Sequence, residues 1–367
     1  MASEPVPSLH VLGSRQFGGA DQFYVRLALA LRDAGWPVTA VNRAGSPVAR
    51  ALRAAGVEQR HLPLANGWDL WSVLRLRRLL RRRAPCVVQT YMGRATRLTR
   101  VPEGLPVVHV ARLGGFYRID GYYRHAHAWV GNTRAIADYL VAQGLPANRV
   151  FHIGNFVPDP RRYSAEERAE RRGGLRLPDE AWLLFALGRL IEKKGFADLL
   201  AALARLPAEI AGRPWAMLVA GSGEEGPRLA QQARALGIAD RVRWLGWQDP
   251  ADPWYDLADL VIVPSRHEPL GNVILEAWNY RRAVLSTQSD GAQELIRHGE
   301  NGLLVPCQAP AALADALQAA LAAGDAARAA LGEAGHRELQ TRHGKAVILS
   351  AYQALYVRLL RERLGGG

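Results

Sequence analysis

Two glutamates eight residues apart, Glu268 and Glu276, stand in the segment Pro264-Ser-Arg-His-Glu-Pro-Leu-Gly-Asn-Val-Ile-Leu-Glu-Ala. The first falls in a loop that follows an apolar run. The second lies about two turns inside a helix that begins near Gly271. A helix N-terminus opened by a permissive glycine presents unpaired backbone N–H groups, a ready site for a diphosphate. Glu276 is then placed to accept hydrogen bonds from ribose hydroxyls, and Glu268 to reach a sugar beyond the phosphates. The plainer alternative is a surface loop with an incidental acid.

A second segment, Ala186-Leu-Gly-Arg-Leu-Ile-Glu-Lys-Lys-Gly-Phe, also follows an apolar run and precedes a helix. Arg189 and Lys194, with Lys193 as the alternative second cation, fit the neutralisation of charge growing on a departing diphosphate. A solvated charged loop is the competing reading. Near the start, Gly18-Gly19-Ala20 forms a turn in which backbone can approach a phosphate or sugar closely. A further glycine motif, Gly221-Ser-Gly-Glu-Glu-Gly, has the form of a dinucleotide-binding turn. Two acids, Glu224 and Glu225, would face the pyrophosphate, and no acid ends the next strand to hold a ribose, so a nicotinamide or flavin site is not expected. Trp247, in the loop after that strand, is a candidate neighbour of the donor base.

The elements that must position these residues follow a strand–loop–helix rhythm. Leu9-His-Val-Leu, Val38-Thr-Ala-Val, Val87-Val-Gln-Thr, Val107-Val-His-Val and Ala128-Trp-Val-Gly are short apolar runs between helical stretches, the first helix running from Asp21 to Ala34. Such alternation predicts a parallel sheet covered on both faces. The stretch from Asn155 to Pro178 reads as a linker with proline punctuation. The rhythm then restarts with Trp182-Leu-Leu-Phe-Ala-Leu-Gly and continues through Trp215-Ala-Met-Leu-Val-Ala, Val242-Arg-Trp-Leu, Leu260-Val-Ile-Val and Ala283-Val-Leu-Ser. The expected organisation is α/β with two doubly wound domains, residues 1–160 and 178–344, and a cleft between them. An amphipathic last helix, about 345–364, packs on one of them, and Gly365-Gly-Gly should fray.

Composition narrows the partners. The 367 residues carry a formal net charge of +13, and residues 1–160 hold 21 arginines and lysines against 9 acids. The excess thus belongs to the first half and points to a local anionic partner. It concentrates in Trp68-Asp-Leu-Trp-Ser-Val-Leu-Arg-Leu-Arg-Arg-Leu-Leu-Arg-Arg-Arg. At about 100° per residue, Arg75, Arg78 and Arg82 share one face and Val73, Leu76 and Leu80 the opposite one. With Trp68 and Trp71 at its start, this helix fits peripheral contact with an anionic membrane; a solvated face is the alternative. No nucleic-acid module accompanies the charge, so nucleic acid is not an expected partner. No apolar run approaches the ~20 residues of a membrane span, and the first residues have no secretory pattern. The two cysteines, Cys86 and Cys307, are far apart in sequence, with no sign of a disulfide framework or thiol metal site. A cytoplasmic protein is expected, peripheral on the inner face of the inner membrane if the basic helix docks.

Taken in order, Gly-Gly-Ala at 18–20, Gly188-Arg189 with Lys194-Gly195, and the Glu268/Glu276 pair resemble glycosyltransferase family 4. The similarity covers essentially the whole chain, including Asn132-Thr-Arg-Ala-Ile and Gly154-Asn155. The resemblance implies a GT-B fold, transfer with retention from a nucleotide-sugar co-substrate, no other cofactor and no metal. It assigns Glu268 to the donor sugar, Glu276 to the ribose, Arg189 and Lys194 to the diphosphate, and the backbone amides of Leu270, Gly271 and Asn272 to the same donor. It also implies that the final helix returns to the first domain. Many family members carry a histidine at the end of a first-domain strand; the corresponding position here is Arg112, which either fills that place or binds an anionic acceptor. His109, inside the strand, reads as structural. The chain lacks an Asp-x-Asp metal clamp. The expected activity is transfer from a UDP- or GDP-sugar to a glycan or lipid-linked acceptor, in lipopolysaccharide core or cell-surface polysaccharide synthesis. The alternatives are a nucleotide-sugar epimerase of the same fold and a non-catalytic membrane-binding scaffold.

Overall fold

The structure, a computed structural model, describes residues 4–15 and 17–365. Residues 1–3, within the reading of the N-terminal segment, and Gly366 and Gly367, expected to fray, lie outside the described residues, as does Gln16. The chain divides into two compact units, residues 1–156 with 343–367, and residues 157–342.

Unit 1 is built on seven strands: β1 (Ser8–Leu12), β2 (Val38–Asn42), β3 (Glu58–His61), β4 (Cys86–Tyr91), β5 (Val107–Leu113), β6 (Ala128–Gly131) and β7 (Val150–His152). They pair in the order β3-β2-β1-β4-β5-β6-β7, all parallel. Helices α1 (Gly19–Asp33), α2 (Pro47–Ala54), α3 (Leu70–Arg83), α4 (Met92–Leu98) and α5 (Arg134–Ala142) join them. Strands β1, β2, β4, β5 and β6 are buried along their whole length, which is why they read as continuous apolar runs. Only β3, Glu-Gln-Arg-His, is polar, as an edge strand facing solvent allows.

Unit 2 opens with α6 (Ala165–Gly174), followed by β8 (Trp182–Leu187), α7 (Phe196–Leu203), β9 (Glu209–Ile210), β10 (Arg213–Ala220), α8 (Gly226–Ala235) and β11 (Val242–Gly246). It continues through α9 (Asp252–Leu257), β12 (Leu260–Val263), α10 (Asn272–Asn279), β13 (Val284–Thr287), α11 (Asp290–Leu295), β14 (Leu303–Val305), α12 (Pro310–Ala322) and α13 (Asp325–Arg342). Its parallel sheet runs β11-β10-β8-β12-β13-β14, and β9 adds an antiparallel edge to β10. The segment expected to be a linker is therefore partly helical. Ser164 caps α6 and exchanges a capping box with Glu167, and Arg168 clamps Asp256 of α9 through two hydrogen bonds of 2.6 and 2.9 Å.

The last helix, α14 (Lys345–Gly365), belongs to unit 1. Its apolar face joins the core of α1 and the sheet through Ile348, Leu355 and Leu359. Two tyrosines fix its register from within that core. The Tyr356 hydroxyl donates to Gln89 Oε1 at 2.7 Å, and Arg112 Nε donates to the Tyr352 hydroxyl at 3.2 Å.

Candidate active site

In both sheets the strand order reverses once, between β1 and β4 in unit 1 and between β8 and β12 in unit 2. Loops leaving the carboxyl ends of the two strands at such a reversal diverge and leave a crevice where ligands bind. In unit 2 those loops are residues 188–195 and 264–271, and they carry Arg189, Lys194 and Glu268.

The two loops are fastened to each other by backbone. The amides of Arg266 and His267 donate to the Lys193 carbonyl at 2.9 and 3.2 Å. Gly195 has φ +69°, and a Cβ there would stand 1.9 Å from the Pro264 carbonyl oxygen, so only glycine allows the approach. Arg266 bridges back with a bidentate pair to Asp198 at 2.7 and 2.9 Å and a contact to Glu192 at 3.1 Å. On the other side the Gly291 amide donates to the Glu268 carbonyl at 2.8 Å, and His267 Nδ1 lies 3.2 Å from Asp290. Held this way, Lys194 forms an ion pair with Glu268, both side chains being largely shielded from solvent. Arg189 is exposed and makes no side-chain hydrogen bond or ion pair among the described residues, so its charge is open to a ligand.

Gly271, with φ +81°, is the N-cap of α10 and turns the chain into the helix, whose first residue is Asn272. Leu270, just before it, is packed against Gly291, where a Cβ would meet the Leu270 carbonyl at 2.4 Å. Glu276 lies in the same helix and accepts a hydrogen bond from the Tyr255 hydroxyl at 2.9 Å. Tyr255 is buried, edge-on to Phe185 and stacked on Tyr280. It orients the carboxylate from α9, a role that the sequence reading did not find. Trp247 follows the carboxyl end of β11 and is 54% exposed. The Gly221–Gly226 turn has a structural reason for its glycines. A Cβ at Gly221 would meet the Gly188 carbonyl at 1.9 Å, and one at Gly223 the Leu190 carbonyl at 2.3 Å. The turn thus backs the Arg189 loop.

In unit 1, Gly18 and Gly19 open α1. The Gly18 amide donates to Asp21 Oδ2 at 2.9 Å, and burial pushes the Asp21 carboxyl up from its ordinary pKa. His109 is buried in β5 with Nε2 on the Thr90 hydroxyl at 2.9 Å, a structural placement. Arg112, expected beside the transferred sugar or an anionic acceptor, is only 3% exposed. Its donors go to Tyr352 and Asn155, and its plane covers the Phe23 ring at 4.0 Å. It ties β5 to α14 and to the end of unit 1, a positioning role. Arg75, Arg78 and Arg82 are exposed on α3, with Leu76 and Leu80 buried on its other side and Val73 partly so.

Two doubly wound parallel-sheet units, the second carrying cations, carboxylates and a helix N-terminus on the loops of its switch point, fit the GT-B class of glycosyltransferases. Comparison with known proteins agrees. Residues 17–161 match the family model described as Glycosyltransferase Family 4, and residues 182–323 the one described as Glycosyl transferases group 1. The lipopolysaccharide core biosynthesis glycosyltransferase LpsE of Rhizobium meliloti (strain 1021) is 33% identical, over 92% of this chain and 95% of its own length. LpsD of the same organism, also described as a lipopolysaccharide core biosynthesis glycosyltransferase, is 30% identical over 94% of this chain and 97% of its own. Among solved structures, HepE of Anabaena in complex with UDP and glucose has a TM-score of 0.81 at 19% identity, covering 95% of this chain and 99% of that one. The chain belongs to glycosyltransferase family 4.

Proposed function

We propose that the protein transfers a hexose from a UDP- or GDP-sugar to a glycan or lipid-linked acceptor of lipopolysaccharide core or cell-surface polysaccharide synthesis, with retention and without a metal ion. The observation that carries this reading is the Lys194–Glu268 pair at the unit 2 switch point, beside the N-terminus of α10. The two Rhizobium relatives, similar along almost their whole length, support the acceptor class. HepE, which binds UDP and glucose, supports the donor class.

In the proposed reaction the anomeric C–O bond to the β-phosphate breaks and the acceptor oxygen bonds to the same carbon from the same face. The acceptor hydroxyl proton passes to the leaving phosphate oxygen. Arg189, Lys194 and the amides of Gly271 and Asn272 stabilise the growing diphosphate charge. Glu268 fixes the sugar, Glu276 the ribose and Trp247 the base. Gly18 and Gly19 would let backbone approach the donor. Arg112, buried against Tyr352 and Phe23, would act through packing.

Thermal stability against UDP-, GDP- and ADP-sugars with EDTA present tests the donor site. A ligand at about 100 times its Kd adds ~2.7 kcal/mol and raises Tm clearly. The expected result is a rise with one nucleotide class that is lost in Glu276→Ala. A rise that requires added metal removes metal independence, and no rise with any nucleotide sugar removes the donor assignment.

The acceptor end of the reading places unit 1 at the cytoplasmic face of the inner membrane, through α3. Among the described residues no helix is long and apolar enough to cross a membrane. The start of α3 is nonetheless apolar and open, with Trp68 81%, Leu70 68% and Leu74 62% exposed ahead of the arginines. Arg75 covers Trp71 at 4.3 Å, and Arg97 covers Trp68 at 4.0 Å. Aromatic rings beside cations are the side-chain chemistry of the bilayer interface.

A further inference from the structure

Unit 1 has its own switch point, and a cavity of about 460 Å³ opens there at the carboxyl ends of β1 and β4. Gly13, Arg15, Ala65, Tyr91, Met92 and Arg94 line it. Two guanidinium groups, Arg15 and Arg94, stand at its wall, and a third, Arg43, shares a carbonyl with Arg94 beside it. Arg94 donates to the carbonyls of Gly13 at 3.4 Å and Leu64 at 3.2 Å, and Arg43 donates to that same Leu64 carbonyl at 3.0 Å. Arg15 is exposed at the wall. Partial burial, then the charges of Arg15 and Arg94, lower the pKa of Arg43. The neighbouring carboxylate, Asp69, is engaged by the amides of Ala65 and Ser72 as the cap of α3, both at 3.0 Å.

The backbone is held in an unfavourable form at the same place. Leu64 and Met92, neither a glycine, have φ of +43° and +66°. Such conformations persist where the surroundings enforce them, and they gather at ligand sites. Here the turn at Leu64 carries the carbonyl that holds Arg43 and Arg94 together. Like charges kept this close repel, and an anion between them converts the repulsion into binding. Guanidinium forks match phosphate oxygens in pairs.

We propose that this cavity receives a phosphate group carried by the acceptor, bound by Arg15, Arg43 and Arg94. The proposal rests on the glycosyltransferase reading for the word acceptor, and on unit 1 alone for the site. It gives the basic first half of the chain a defined ligand. The site also lies next to the start of α3, where a membrane-borne acceptor would arrive.

Calorimetric titration with inorganic phosphate, at saturating UDP and with chloride matched in ionic strength, tests the site. Phosphate is expected to bind with UDP present. Arg94→Gln and Arg15→Gln should each weaken it at least about tenfold, and Glu276→Ala should leave it unchanged. Arg15 is exposed, so its variant reports on binding even if Arg94→Gln disturbs the fold. Phosphate displaced by UDP, or bound equally by Arg15→Gln, overturns the site. Turnover with a lipopolysaccharide core oligosaccharide tests the source of the phosphate. Phosphatase treatment should raise KM for the wild type and leave it unchanged in Arg94→Gln; a wild-type KM indifferent to the treatment overturns the acceptor assignment. Phosphate binding through Arg15 and Arg94 in a chain that binds no nucleotide would instead sink the glycosyltransferase reading and leave the site standing.

Discussion

At the scale of single residues, the proposed donor site depends on side chains held in place by partners outside it. Glu276 is proposed to hold the ribose, and Tyr255 holds Glu276. Tyr255→Phe keeps the ring between Phe185 and Tyr280 and removes only the hydroxyl. Losing one hydrogen bond to a carboxylate is worth ~1.5 kcal/mol, so the nucleotide-sugar Kd should rise on the order of tenfold with a smaller change in kcat. Lys194→Ala should do the reverse, lowering kcat on the order of a hundredfold with little change in Kd, because its charge matters most as the diphosphate departs. Calorimetry and initial rates on both variants separate the two. An unchanged Kd in Tyr255→Phe would reduce that tyrosine to packing. The glutamates and cations were readable in the sequence because glycines and charges directly after strand-like runs mark loop ends of a parallel sheet. Tyr255 was not, since its partner is 21 positions away and its helix is short. The burial of Arg112 was not legible for a similar reason: its surroundings include Tyr352, which is 240 positions away.

At the scale of elements, burial decided what could be read. The central strands are buried along their length and were located within about three residues, β5 running on to Leu113 past the apolar run that marks it. Edge strand β3 is polar and α6 is made only of charged residues, alanines and glycines, so neither carries a periodic apolar signal. For α6 the capping box Ser164/Glu167 was the available mark. In α3 the spacing separated Arg75, Arg78 and Arg82 from Leu76 and Leu80. It did not show that Leu70 and Leu74 join Trp68 and Trp71 on the open side. That combination makes a specific prediction about lipid. The chain should co-sediment with vesicles containing phosphatidylglycerol and much less with phosphatidylcholine alone. Each arginine near an anionic surface contributes ~1 kcal/mol, so the triple variant Arg75→Gln, Arg78→Gln, Arg82→Gln should lower partitioning on the order of a hundredfold. Trp68→Ala with Trp71→Ala should weaken binding even at high salt, where the arginines are screened. Equal binding of all variants would return α3 to a solvated helix.

At the scale of the whole molecule, the two units share one winding and differ in what they bury. Unit 1 encloses a polar network beneath its switch point. His10 contacts Tyr91 at 2.9 Å and Ser8 at 3.2 Å, while His109 lies between Thr90 and the His125 ring. Burial lowers the His10 pKa to about 3. Burial, then His125, His127 and Arg100, holds His109 well below 6.5. His125 and His127 are lowered too, each by burial first. An unfolded histidine takes up its proton near pH 6.5, whereas these remain neutral in the folded chain, so the unfolded state binds more protons as pH falls. The stability they allow is complete above pH 6.5 and is lost progressively down towards the folded value. For a fully buried histidine the loss is ~1.4 kcal/mol per pH unit, so His10 costs about 2 kcal/mol at pH 5, and His109 adds in the same direction. Against a total of about 5–15 kcal/mol for an ordinary fold, that is a large share. Tm should therefore fall steeply between pH 7 and pH 5, and hydrogen exchange at pH 5 should rise first in β1, β4 and β5, ahead of β8 and β12. A flat Tm over that range, or first exchange in unit 2, would show that these histidines are solvated and that the network does not set the acid limit of the protein.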